Sequence, residues 1–259
     1  MIDAHSHIVH FRRSKWLKLI LEDYSRCQFS AIIAVSNNFM EYVQLLQLAE
    51  EKTPFKVYIG LGLHPELKWH KNEAKEFVDS VHQVISTKVR VDIIGEIGIA
   101  ENASSVIKRR QLELLEKVLD KLKGTDHPLS LHIPPAYVNT VISLLNRYDI
   151  RSAHFHWFRG RKTEAINLTK EGNFISWPPP IISKNSILKI INSINPSQLL
   201  FETDLHKKQN GKPSIMPSSI KDAMTIVAAK LEMNENELKL LIQGNLIRFL
   251  GPHTHTKMI

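Results

Sequence analysis

The amino-acid sequence predicts an α/β protein built as a single (β/α)8 barrel of the TIM type. Eight short runs rich in β-branched and aromatic residues alternate with amphipathic helical patterns over about 250 residues, which is the size and rhythm of this barrel. No low-complexity tract, internal repeat or linker divides the chain. His, Glu and Asp residues follow several predicted strands. A closed barrel brings such strand ends to one mouth, whereas an open doubly wound sheet spreads them along a line.

The first half of the chain supplies four strand-helix units. The first strand is predicted from Met1 to His5, and the third ends at His64-Pro65 because proline stops regular pairing. The helices are predicted from apolar residues at i, i+3, i+4 and i+7. The other predicted strands cover 31–36, 56–63 and 91–96. The first two helices have the apolar faces Leu17, Ile20, Leu21 and Tyr24, and Tyr42, Leu45, Leu46 and Ala49; the third is a polar helix over 72–86. The fourth has the apolar face Ile107, Leu114, Leu115, Val118, Leu119 and Leu122 and ends at Gly124.

The second half repeats the alternation with shorter strands. The sixth helix is predicted to run from an N-cap at Thr163 to a stop at Gly172. The last helix is predicted to start at Asn234, with Glu237 as its capping partner. The remaining predicted elements are strands over 129–132, 152–156, 173–176 and 199–204, and helices marked by Ile187, Ile190, Ile191 and Ile194 and by Ile220, Ala223, Met224, Val227, Ala228 and Leu231.

Composition and charge narrow the function classes. The chain is 43% hydrophobic and 23% charged, as ordinary globular domains are, and no apolar run approaches the roughly 18 residues that span a bilayer. The single cysteine, Cys27, allows no intrachain disulfide, and with no room for a leader before residue 3 we expect a cytoplasmic protein. The net charge of +8 favours an anionic partner, with nucleic acid the first expectation.

A candidate metal site begins at the first strand. His5 and His7 are two residues apart, so in a strand they project from the same face. Two imidazoles at a strand end can hold one divalent ion if other strands supply further ligands. His5 and His7 alone would more often be packed or surface histidines. Further candidate ligands at the ends of other strands favour a metal site. These partners are Glu96, His132, His156 and Asp204, at the predicted ends of strands four, five, six and eight.

An ordered set of segments makes the chain similar to the TatD family of metal-dependent deoxyribonucleases, within the amidohydrolase-like barrels. The resemblance implies a hydrolase barrel over residues 1–251 and a C-terminal tail over 252–259. The segments that carry it are Asp3-Ala-His5-Ser-His7, Gly62-Leu-His64-Pro65, Gly95-Glu96-Ile-Gly98, Leu131-His132, His156-Trp-Phe-Arg-Gly160, Glu202-Thr-Asp204 and Asn245-Leu-Ile-Arg-Phe249.

The resemblance implies two adjacent divalent ions at the mouth of the barrel. It places the first ion on His5, His7 and Asp204, the second on His132 and His156, and Glu96 between them as a bridging catalytic ligand. Asp204 is the expected base that orients and deprotonates a water. Imidazoles favour zinc or manganese, while the carboxylates leave magnesium open.

His154 competes with His156 for the sixth strand, because residues i and i+2 share a face. We assign His156 to the metal, since it lies nearer the strand end and heads the matching segment. His154 is then expected to point inward lower in the barrel or to pair with a carboxylate. His64 receives no metal role and is expected to contact substrate.

The loops around the mouth depart from the family pattern. Ala100 stands where family members commonly carry an aspartate, and Ile133-Pro134 replaces a usual x-Arg after His132. Leu205 to Pro217 and Trp177-Pro-Pro-Pro180 replace other family loops. The metal assignment is therefore firmer than any substrate assignment.

Basic and aromatic residues in those loops predict contacts with nucleic acid. Lysines and arginines after strands six, seven and eight would give the rim a positive field that gathers phosphates, although each is more often a solvated loop charge. Trp69, Trp157 and Trp177 either stack on unpaired bases or pack the barrel top. The predicted substrate contacts are His64, Trp157, Arg159 and Arg161, and the rim lysines are Lys162, Lys184, Lys207, Lys208 and Lys212.

These features predict a metal-dependent phosphodiesterase that hydrolyses DNA at single-stranded ends. Two alternatives stay open. One is a phosphoesterase or amidohydrolase that uses the same metals on a small molecule. The other is a subunit of a multi-protein system, such as a defence or repair complex, in which the barrel mainly binds other proteins.

Overall fold

The computed structural model describes residues 1–87 and 89–251, so the predicted tail at 252–259 lies outside the described residues. Eight parallel strands form one sheet in chain order, and each strand is hydrogen-bonded to the next. The strands are β1 Ile2–Ser6, β2 Ala31–Val35, β3 Lys56–Leu61, β4 Ile93–Gly98, β5 Leu129–His132, β6 Ala153–Phe155, β7 Phe174–Trp177 and β8 Leu199–Phe201.

The first and last strands meet, which brings the two edges of the sheet together. The His7 N–H donates to the Leu205 carbonyl at 2.9 Å, and the Asp204 N–H donates to the His5 carbonyl at 3.0 Å. Ser6 and Leu205 form a parallel bridge at the same seam. Consecutive strands are joined by connections that contain helices, as parallel neighbours require. The predicted (β/α)8 barrel is confirmed.

The helices begin where side chains satisfy the first backbone N–H groups. Asn234 and Glu237 cap the last helix reciprocally at 2.9 Å, as predicted. The predicted start of the sixth helix at Thr163 is wrong: Arg161 is the N-cap, because the Glu164 carboxylate accepts its backbone N–H at 2.7 Å. The helices are α1 Trp16–Arg26, α2 Phe39–Glu50, α3 Lys71–Ser86, α4 Ser105–Leu122, α5 Val138–Arg147, α6 Lys162–Lys170, α7 Pro179–Ile182, α8 Asn185–Ile191, α9 Ser219–Lys230 and α10 Glu235–Leu250.

Several strand ends differ from the prediction, and two of these differences concern candidate ligands. β4 extends to Gly98, so Glu96 is inside the strand and not at its end. β8 ends at Phe201, so Asp204 belongs to the following loop. β8 pairs with β7 up to the register Trp177–Phe201, and beyond it the Asp3 carboxylate accepts the Thr203 N–H at 2.9 Å and its hydroxyl at 2.6 Å.

The apolar core surrounds the barrel and also fills part of its top. Trp177 is fully buried, and its indole N–H donates to the Phe158 carbonyl at 2.6 Å. Packing of the barrel top is therefore the correct alternative for this tryptophan, and base stacking is wrong for it. Within the described residues, no helix has both the length and the apolar composition needed to cross a bilayer.

Candidate metal centre

The carboxylate of Glu96 lies at the centre of a cluster of imidazoles. Its side chain is completely buried, and β4 directs it into the barrel toward the C-terminal ends of the strands. Oε2 lies 3.2 Å from His5 Nε2 and 3.1 Å from His7 Nε2. Asp204 lies on the same side, with Oδ1 3.6 Å from His7 Nε2. Two imidazoles and two carboxylates thus converge on one side of the cluster.

The other oxygen of Glu96 faces a second group of imidazoles. Oε1 lies 2.8 Å from His132 Nδ1, 2.8 Å from His156 Nε2 and 3.3 Å from His64 Nε2. The structure therefore brings all six predicted ligands together: His5, His7, Glu96, His132, His156 and Asp204. Their individual metal roles stay predictions.

The donor spacing on this second side fits a cation. His132 Nδ1 and His156 Nε2 are 3.3 Å apart, and both are 2.8 Å from the same carboxylate oxygen. Two nitrogens that bind one tetrahedral ion at about 2.1 Å each would be about 3.4 Å apart. The residues present therefore fit the divalent ions that the sequence predicts.

Burial favours the neutral form of His5 and His156, while Glu96 stays ionised. Burial lowers the pKa of His5 well below its usual range and the pKa of His156 to about 4. Burial alone would raise the pKa of Glu96, but the imidazoles around it, His156 foremost, outweigh this and hold the pKa well below its usual range. Neutral imidazoles and an ionised carboxylate are the protonation states that bind metal.

The pKa of Asp204 is shifted in the opposite direction from that of Glu96. Burial raises its pKa well above the usual range, and the nearby carboxylates of Glu96, Glu202 and Asp3 add to the effect. A group of this kind keeps its proton until positive charge arrives next to it. Asp204 is therefore suited to exchange a proton when cations occupy the cluster.

Two residues that the sequence analysis left without a metal role belong to this cluster. His64 lies within reach of Glu96 and His132, close enough for the three to share an ion, and Glu202 lies similarly close to His5 and His156. Burial raises the pKa of Glu202 to about 8. The sequence feature that could have indicated a metal role for His64 was its position directly after strand three. For Glu202, this feature was its position in the Glu-Thr-Asp segment.

A second set of buried contacts orients the candidate ligands. Ser130 Oγ lies 3.0 Å from His5 Nδ1, which leaves His5 Nε2 for Glu96. Glu202 accepts the Ser176 hydroxyl at 2.6 Å and the Trp157 N–H at 2.7 Å, beside His156. Such contacts fix ring orientation and donor state at metal sites.

His154 lies deeper in the barrel. It is fully buried, and its Nε2 is 2.5 Å from Ser176 Oγ and 3.9 Å from a Glu202 oxygen. Burial lowers its pKa well below the usual range. The expectation that His154 points inward, below His156, is confirmed.

The arginines and the tryptophan that were predicted to contact substrate at the rim already contact other residues of the protein. Arg159 is ion-paired with Glu101 and lies over the ring of Trp157 at 5.9 Å. Arg161 is ion-paired with Glu164 at 2.6 Å. Contact of these three residues with substrate stays a prediction, and it now requires the arginines to share their charge with a carboxylate.

A basic part of the rim follows β8. An open hollow of about 560 Å³ is lined there by His206, Lys207, Lys208, Gln209 and Asn210. Two lysines and no carboxylate line this hollow in the described structure, so it offers positive charge beside Asp204. Two of the predicted rim lysines, Lys207 and Lys208, therefore lie together in this hollow.

A parallel barrel with a histidine and carboxylate cluster at its C-terminal mouth defines the class of metal-dependent hydrolases. The chain belongs to the TatD related DNase family, whose model matches residues 2–251. It is 27% identical over 212 residues to a metal-dependent hydrolase of Haemophilus influenzae, covering 79% of this chain and 80% of that protein. It is 25% identical to human deoxyribonuclease TATDN3, covering 79% and 77%. The crystal structure of YJJV, a TatD homologue from Escherichia coli K12, superposes with a TM-score of 0.81 at 22% identity, covering 96% of this chain and 97% of that one.

Proposed function

We propose that this metal-dependent hydrolase is a two-metal phosphodiesterase that cleaves DNA, preferentially at single-stranded ends. The observation that carries the proposal is the Glu96 carboxylate, which has imidazoles within 3.3 Å of each of its two oxygens. A carboxylate with imidazoles at both oxygens could be shared by two divalent ions, as two-metal sites that cleave phosphodiesters require. Relatives named as deoxyribonucleases and the net charge of +8 support DNA as the substrate.

In this proposal the two sides of Glu96 hold separate ions. His5, His7 and Asp204 would hold the first, His132 and His156 the second, with Glu96 shared. Bound divalent ions supply Lewis acidity, which lowers the pKa of water to about 7 and neutralises charge on a phosphate. Zinc or manganese suits the imidazole-rich set.

The chain's own groups complete the reaction. Asp204 Oδ1 lies at the mouth and accepts the proton of the attacking water, since nearby positive charge lowers the pKa of a buried carboxyl. His64, which is only partly buried, lies between Glu96 and the rim, where its Nε2 can donate to a phosphate oxygen. The lysines after β8 hold the neighbouring phosphates of the strand. The single cysteine fits a reducing compartment, and we place the activity in the cytoplasm.

The test is cleavage of an end-labelled single strand and of the matching blunt duplex by the metal-loaded protein. We expect faster cleavage of the single strand, loss of activity with chelator, and loss in Glu96→Ala and Asp204→Ala. Glu22→Ala, which removes an exposed carboxylate on α1, is the matched control and keeps full activity.

Two results would replace the proposal. Turnover of phosphomonoesters or amides with DNA left intact would make the protein a small-molecule hydrolase. Full metal occupancy without turnover, together with stable co-purification of another protein, would favour a subunit of a larger assembly.

A further inference from the structure

A groove opens beside the candidate metal centre, between the start of α2 and α3. It has a volume of about 620 Å³, within the range of small-ligand sites. We call it the rim groove and define it by its large apolar side chains. These are Phe39, Met40, Leu67, Trp69 and Phe77.

The rim groove lies next to the metal centre, because Gly62, which lines it, packs so closely on Glu96 that an added Cβ would be 2.4 Å from the Glu96 backbone nitrogen. Gly62 and Leu63 line the groove, and the next residue is His64. His64 Nε2 lies 3.3 Å from Glu96 Oε1. Adjacent Cα atoms are about 3.8 Å apart, so the groove starts one residue away from the imidazole cluster. A molecule whose phosphate sits at Glu96 can therefore place its neighbouring group in this groove.

Three apolar side chains of the groove are exposed, whereas Phe77 is buried. Met40 is 69% exposed, Phe39 57% and Leu67 44%, and all three line the same cavity. Clustered apolar exposure of this kind, unlike scattered single residues, is typical of a binding surface. Two aromatic rings at the groove, Phe39 and Trp69, offer faces on which a planar ligand can stack.

Charge separates this groove from the hollow after β8. The charged residues that line the groove are Lys68, Glu73 and Glu76, so carboxylates outnumber cations there. The hollow after β8 has Lys207 and Lys208 and no carboxylate among its described lining residues. Phosphates are therefore favoured on the β8 side, while the rim groove favours an uncharged, planar group.

We propose that the rim groove binds the terminal nucleobase of a single strand, with the rest of the strand leading over the lysines after β8. This inference rests on the proposed function and deepens it. The base stacks on Trp69 and Phe39, while the phosphate next to it lies at Glu96. Such an arrangement places the scissile bond beside the strand end, so the reaction releases single nucleotides.

The experiment compares a short single strand with the same strand lacking its terminal base, removed at either the 5′ or the 3′ end. Cleavage is measured as kcat/KM with metal-loaded protein, and binding by fluorescence anisotropy in chelator. Stacking on an aromatic side chain is worth about 1–3 kcal/mol per base. Removal of the base at the recognised end is therefore expected to lower kcat/KM and affinity by about 5- to 150-fold.

Variants locate the effect in the groove. Trp69→Ala is expected to abolish the discrimination between the two strands without slowing cleavage of the strand that lacks the base, and Trp69→Phe is expected to retain most of it. Met40→Ala changes a side chain that is 69% exposed, so the fold is kept while the discrimination falls. Leu240→Ala, with 68% exposure on α10, is the matched control and leaves the discrimination unchanged.

The outcomes separate this inference from the proposed function. If both strands are cleaved equally well, the nuclease proposal stands and the base site is overturned. If neither is cleaved but the base still strengthens binding through Trp69, the base site stands and the nuclease proposal fails. An equal effect of Trp69→Ala on both strands, or absence of binding and cleavage altogether, overturns the base site.

Discussion

Replacement of Glu96 by glutamine probes the centre of the proposed metal site with little change of shape. The buried carboxylate has five imidazole nitrogens within 3.3 Å of its two oxygens. Glutamine keeps the volume but removes the charge and one of the two acceptor oxygens. If one carboxylate bridges two ions, this single change weakens both of them.

The expected size of the effect follows from linkage between metal binding and folding. A metal present at 100 times its Kd stabilises the fold by about 2.7 kcal/mol. At about 2–4 °C per kcal/mol for a domain of this size, the metal raises the Tm of the wild type by about 5–11 °C. Loss of a contact that merely orients a ligand weakens metal binding by about 10- to 100-fold, so loss of the bridge is expected to cost at least 100-fold. The remaining stabilisation is at most about 0.4 kcal/mol, or about 1–2 °C.

The assay is thermal unfolding followed by circular dichroism, with and without metal, for each variant. The metal-induced change in Tm is compared, so any change in the stability of the metal-free fold cancels. Glu101→Gln is the matched control, because Glu101 pairs with Arg159 at the rim, and we expect the full wild-type increase. An undiminished increase in Glu96→Gln would refute the bridging role.

Three further predictions follow from other parts of the structure. Metal affinity rises with pH and binding releases a proton, because burial raises the pKa of Asp204 and the carboxyl must ionise to bind. Calorimetry in buffers of different ionisation enthalpy measures the released proton, and a pH-independent affinity would be inconsistent with this prediction. The double variant Lys207→Ala and Lys208→Ala lowers the slope of log affinity for single-stranded DNA against log salt by about 0.7 for each lost phosphate contact; an unchanged slope would remove these lysines from the substrate path. Trp177→Ala lowers the free energy of unfolding by about 3–5 kcal/mol in urea titrations because the side chain is fully buried; a stable variant with weakened DNA binding would contradict its packing role.

The alternation of strands and helices was predictable because each strand-helix unit is encoded by residues that are close in the sequence. A buried strand followed by an amphipathic helix has a signature within about 30 residues, and the caps at Asn234 and Glu237 are local as well. Strand ends were less predictable. β8 stops at Phe201, where its pairing with β7 ends at Trp177, and Thr203 then binds Asp3, which lies 200 residues away in the chain.

The candidate site likewise has one part that the sequence predicted and one part that only the folded chain shows. The six predicted ligands converge because barrel topology alone brings the strand ends to one mouth. The sequence pattern did not predict the ion pairs and hydrogen bonds that residues of separate segments form. Arg159 and Arg161 each find a carboxylate, and Glu202 acquires its contacts to Trp157 and Ser176 only in the folded barrel.

Anomalous diffraction from crystals of the metal-loaded protein, collected at the absorption edge of the bound metal, tests the central claim most directly. We expect two peaks, one between Glu96 Oε2 and the ligands His5, His7 and Asp204, the other between Glu96 Oε1 and the ligands His132 and His156. A single peak away from Glu96, or no peak in crystals whose protein carries metal in solution, would contradict the two-metal account.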